Sequence, residues 1–78
     1  MPMSTPSALP TRKPVSFRAV VHPEEEGGYW AEIPDLPGCF TQGETLDELY
    51  HNLAEAVAGH LDMDTESVRI GLLEIAAS

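Results

Sequence analysis

Four carboxylates, Glu32, Asp35, Glu44 and Asp47, fall within one short stretch of the chain, and acids at that density are what a magnesium-dependent phosphodiesterase uses to hold its ions. Their placement argues for a plainer role. Asp35 lies between two prolines in Pro34-Asp35-Leu36-Pro37-Gly38, a turn in which its side chain can bond the N–H groups of its own backbone. Asp47 belongs to the first turn of a helix, where it complements the helix dipole. The segment that reads as the first strand carries no acid at all. The histidines offer no metal set either. His51 and His60 are nine residues apart, on opposite sides of a helix, and His22 is remote in sequence. His60 falls on the apolar side of that helix and is expected to be partly buried and hydrogen-bonded. Cys39 follows Gly38, with neither a helix N-terminus nor a basic neighbour to lower its pKa, so it reads as a small core residue rather than a nucleophile. No cofactor and no enzymatic activity are implied.

The elements that would position these residues follow from periodicity. Val15–His22 alternates, with Phe17, Ala19 and Val21 on one face and Ser16, Arg18, Val20 and His22 on the other, as in a half-buried strand. Pro23-Glu24-Glu25-Glu26-Gly27-Gly28 reads as a hairpin loop, its glycines supplying positive φ and its glutamates staying in water. Tyr29–Ile33 pairs back as a second strand, placing Trp30 and Glu32 together on the side away from the core. Each proline of the following turn removes a ladder N–H, Gly38 permits positive φ, and Cys39–Gln42 makes a third strand. Thr45 and Glu48 form a capping box for a helix from Leu46 to about Leu61. Its apolar residues fill an arc of roughly 160° around Leu49, Leu53 and Val57, with Leu46, Tyr50, Ala54, Ala56, His60 and Leu61 sharing it. Ser67–Ile75 alternates as a fourth strand weakened by Gly71, with a short helix over residues 72–77 as the alternative. The expected fold is α+β, a small antiparallel sheet in the order β-β-β-α-β with one amphipathic helix on one face. Residues 1–14, with Pro2, Pro6, Pro10 and Pro14, are expected to be a disordered tail ahead of one domain over 15–78.

The run YWAEIPDLPGCFTQGETLDEL, at residues 29–49, resembles the amino-terminal domain of HicB-type antitoxins: a strand rich in aromatics, PDLPGC, a T-x-G-[DE]-T turn and a helix. The resemblance extends over roughly residues 17–61. It implies a partial ribonuclease-H-like fold without catalytic activity. It also implies a partner, a small basic HicA-type toxin that cleaves mRNA with a histidine and whose active site the antitoxin masks. Many members of that family continue into an operator-binding domain. This sequence ends at Ser78 with no basic helical segment, so DNA binding is not expected of it.

Charge supports a protein partner over a nucleic acid. The formal net charge is −9. From Val15 onward only Arg18 and Arg69 stand against thirteen acids, a balance of −11. Phosphate binding needs clustered Lys and Arg, so direct nucleic-acid binding is not expected, whereas an acidic body suits a basic protein. Exposed aromatics are over-represented at interface hot spots, which singles out Trp30, with Glu24, Glu25, Glu26, Glu32 and Asp35 as surrounding acidic contacts. Packing within the sheet is the structural alternative for Trp30. A single cysteine permits no internal disulfide, and no apolar run approaches the ~20 residues of a membrane span, so a cytoplasmic protein is expected. One helix covers one sheet face, which leaves the other free and favours a homodimer or higher homo-oligomer. A stand-alone oligomeric adaptor domain without a toxin is the competing function.

Overall fold

The structure, a computed structural model, describes residues 13–76. The tail expected over 1–14 thus lies almost wholly outside the described residues. The elements are β1 (Val15–Pro23), β2 (Tyr29–Glu32), β3 (Phe40–Gly43), α1 (Leu46–Leu61), a 3-10 turn (Thr65–Ser67) and β4 (Val68–Ile75). They form one four-stranded sheet in the order β3-β2-β1-β4. The β-β-β-α-β order and the single helix on one face are as the sequence implied. The third strand is displaced by one residue from Cys39–Gln42.

One expectation needs correction: the sheet is mixed, not antiparallel throughout. β1, β2 and β3 are joined by short turns and alternate in direction, as hairpins must. α1 then carries the chain back along the sheet, so β4 starts from the same end as β3 and runs parallel to β1. Gly71 does not stop the strand. It faces Arg18 across the ladder, and β4 pairs with β1 from Val15↔Val68 to Val21↔Ile75, with an irregularity after Ala19. β2 reaches only Val20–Pro23 of β1 on its other side, so β4 completes the long first strand.

The core lies between helix and sheet: Ala19, Val21, Ala31, Ile33, Cys39, Leu49, Leu53, Val57, Ala58 and Val68. The apolar arc of α1 is buried only along its middle. Leu46 and Leu61 are exposed, and His60, expected to be partly buried, is exposed as well. The buried positions of the helix are Leu49, Leu53, Val57 and Ala58, so its first and last residues extend past the part that meets the sheet. Gly43 lets the two layers meet closely, since a Cβ there would stand 2.7 Å from the Leu49 nitrogen.

The helix start is built as its residue types require. Thr45 is extended (φ −126°, ψ 166°), and its Oγ1 accepts from the Glu48 N–H at 3.1 Å. The Glu48 carboxylate reaches back to the Glu44 N–H at 2.6 Å, one residue earlier than in the standard box. Thr45→Ala is expected to lower the unfolding free energy by about 1 kcal/mol, read as a shift in the urea midpoint at constant slope.

Candidate protein-binding face

Alternation along the strands sorts side chains between the core and the uncovered face. On β2, Tyr29 and Ala31 face the helix, leaving Trp30 and Glu32 outside. On β3 the neighbours of Trp30 and Glu32 are Gln42 and Phe40, and on β1 they are His22 and Val20. The outer face therefore carries Phe40 and Gln42, then Trp30 and Glu32, then Val20 and His22 across three strands.

Two contacts set its geometry. The rings of His22 and Trp30 stack with centroids 3.9 Å apart and planes within 5°. His22 Nε2 is 2.9 Å from Glu32 Oε2, an interaction between two residues on the same face of adjacent strands. Trp30 is thus packed against His22 on one side and half-buried, as its sheet-packing alternative implied. Phe40 has no such cover and is 64% exposed.

The acidic loop completes the rim. The Gly27 N–H donates to the Glu24 carbonyl and the Glu24 N–H to the Gly28 carbonyl, both at 3.1 Å, so the loop is tightly closed and its three glutamates project into solvent. Glu24 lines an open depression with Trp30, Glu32, Phe40, Thr41 and Gln42. Glu24, Glu25, Glu26 and Trp30 line an adjoining one. The structure therefore brings together Trp30, Glu32, Glu24, Glu25 and Glu26. Asp35 is set apart, exposed in the turn that follows β2, whereas the glutamate loop precedes it. That turn is closed by its backbone: the Leu36 N–H donates to the Ile33 carbonyl at 2.9 Å and the Cys39 N–H to the Leu36 carbonyl at 2.9 Å. Among the described residues the Asp35 carboxylate bonds no N–H of its turn, contrary to the role expected for it.

Phe40 and His22 belong to this face, and neither stands out in the sequence as a binding residue. The signal for Phe40 was parity: the buried Cys39 before it obliges Phe40 to point outward in an extended chain. The His22–Trp30 stack depends on hairpin register, which periodicity alone does not specify.

Among the described residues no group of three or more His, Cys, Asp or Glu side chains converges to hold a metal ion. Cys39 is buried, and desolvation pushes its thiol pKa up, away from thiolate chemistry. No helix of the described residues is long and apolar enough to cross a membrane. What the face offers is an aromatic platform beside a row of carboxylates.

Comparison with known proteins adds the family. Residues 17–71 match the model of the HicB-like antitoxin of bacterial toxin-antitoxin systems. The chain is similar to a UPF0150 protein of Archaeoglobus fulgidus, 33% identical over 78% of this chain and 96% of the relative. It is also similar to a UPF0150 protein of Synechocystis, 38% identical over 74% of this chain and 81% of the relative. Antitoxin HicB 1 of Photorhabdus laumondii shares 36% identity over 58% of this chain but only 29% of that longer protein. No solved structure matches the chain significantly. The match spans the strand-turn-strand-helix frame and the start of β4, and with it this chain belongs to the HicB-like antitoxin family.

Proposed function

We propose that this chain neutralises a small, basic, HicA-type ribonuclease toxin by binding it, without catalysis, through the outer sheet face around Trp30 and Phe40. Family membership supports an antitoxin role. The observation that carries the choice of surface is the juxtaposition of two accessible aromatics with Glu24, Glu25, Glu26 and Glu32. A ribonuclease's RNA-binding surface is basic, so it meets a complementary charge here, while Trp30 and Phe40 supply the apolar contact that slows dissociation. Long-range attraction acts mainly on encounter, so added salt should slow the on-rate more than it raises the off-rate. Asp35 contributes at most at the margin of this surface.

The test is co-expression with a cognate toxin, sought as a basic protein of the same operon, in a host whose growth the toxin alone arrests. Restored growth and co-purification of an unmodified toxin are the expected result. A chain that neither restores growth nor co-purifies would overturn the reading.

The same charge balance predicts that the chain alone does not hold nucleic acid. A fluorescence-anisotropy titration with duplex DNA and with single-stranded RNA at about 100 mM salt should show no saturable binding, because phosphate contacts supply most non-specific affinity. Micromolar affinity for either would contradict it.

A further inference from the structure

The two edges of the sheet are built differently. β3 is four residues long, follows the proline-glycine turn, and has its Gln42 carbonyl taken by the Asn52 side chain, whose Nδ2 donates at 2.9 Å. It is a short, blunted edge. β4 is eight residues long, contains no proline or lysine, and among the described residues has no neighbour on its outer side. Its sequence, VRIGLLEI, is the kind of long apolar edge that invites another strand.

Burial along β4 is uneven for a reason set by the helix. Leu72 and Ile75 pair with the fully buried Ala19 and Val21 of β1, so they lie on the helix side of the sheet. Yet they are 47% and 55% exposed, as is Leu73 at 47%, while Val68 at the strand start is buried. α1 begins over β3, where Leu49 lies on Gly43 and Asn52 bonds Gln42, and its end hands the chain to the start of β4 through residues 62–67. The second half of β4 is left uncovered on the face where the core should continue.

We propose that β4 is the assembly edge and that its occupant is the β4 of a second copy, added antiparallel about a twofold axis near Leu72. Charge selects this occupant. Outside β4, the chain from residue 15 carries one basic residue, Arg18, against twelve acids, so most surfaces of two copies repel. β4 is neutral, with Arg69 near its start and Glu74 near its end. An antiparallel partner brings each Arg69 toward the Glu74 end of the other copy, so the edge complements itself. An axis perpendicular to the sheet keeps both helices on one side. Leu72 and Ile75 of the two copies then meet between the helices and extend the core across one eight-stranded sheet. The Trp30 face stays free in both copies, so this assembly does not depend on toxin binding.

Light scattering and sedimentation of the full chain at about 50 µM test the proposal without any toxin. The wild type should show about twice its 8.5 kDa chain mass. Leu72→Lys/Ile75→Lys, at two exposed positions, should give the single-chain mass with its circular dichroism unchanged, and Phe40→Lys should remain dimeric. Should the double variant fail to fold, Arg69→Glu replaces it: the change should weaken the dimer by setting a carboxylate toward the partner's acids, and adding Glu74→Arg should restore it. A monomeric wild type overturns the proposal, and so does a dimer that survives the β4 changes but is lost in Phe40→Lys.

Discussion

Leu53→Ala is expected to cost about 2–5 kcal/mol of unfolding free energy, enough to remove most of the stability of so small a chain. Leu53 is fully buried at the middle of α1, in a core of ten residues whose other large members are Ile33, Leu49, Val21 and Val57. Truncation forfeits both the transfer free energy of the removed carbons and the contacts of the atoms left lining a cavity. A 78-residue chain buries only about 60% of its unfolded surface, so it has little reserve against that loss. Urea unfolding followed by circular dichroism should show a midpoint far below that of Thr45→Ala, or no cooperative transition. Equal effects from the two substitutions would mean that the helix presents a different face to the sheet.

The second large effect concerns the proposed toxin complex. Trp30→Ala is expected to weaken binding by about 2 kcal/mol or more, roughly thirtyfold in Kd, because a large aromatic at the centre of an interface carries a disproportionate share of affinity. The variant should still fold, since Trp30 is half-buried on the outer face and is neither in the core nor among the residues packed against it. Reversing charge at Glu24, Glu25 and Glu26 should act differently, lowering the on-rate and its salt dependence while leaving dissociation nearly unchanged. Surface plasmon resonance separates the two. If Trp30→Ala left Kd unaltered while the glutamate reversals abolished binding, the interface would be centred on the loop rather than on the sheet.

The fold was legible wherever a local rule was strong. Thr45 and Glu48 marked the helix start that the structure shows, Gly38 marked a backbone with positive φ, and the alternation of Val15–His22 placed Ala19 and Val21 in the core. His60 misled because a helical wheel has no ends. It assigns a direction around the axis but does not say where the sheet beneath the helix stops. The direction of β4 was likewise hidden, since alternation is the same for a parallel and an antiparallel strand.

Composition and local periodicity by themselves left the closing segment open between strand and helix, but determined the order of the three strands and the helix that follows them, the helix cap, the acidic character of the chain and the outward placement of Trp30 and Glu32. These follow from interactions within a few residues, or from simple counting. Only the tertiary structure decided that Phe40, His22 and the Glu24 loop share a face with Trp30, and that β4 runs beside β1 with Leu72 and Ile75 uncovered. Those facts depend on hairpin register and on where the helix comes to rest over the sheet. Both are settled by packing between residues far apart in the chain, which no local pattern encodes.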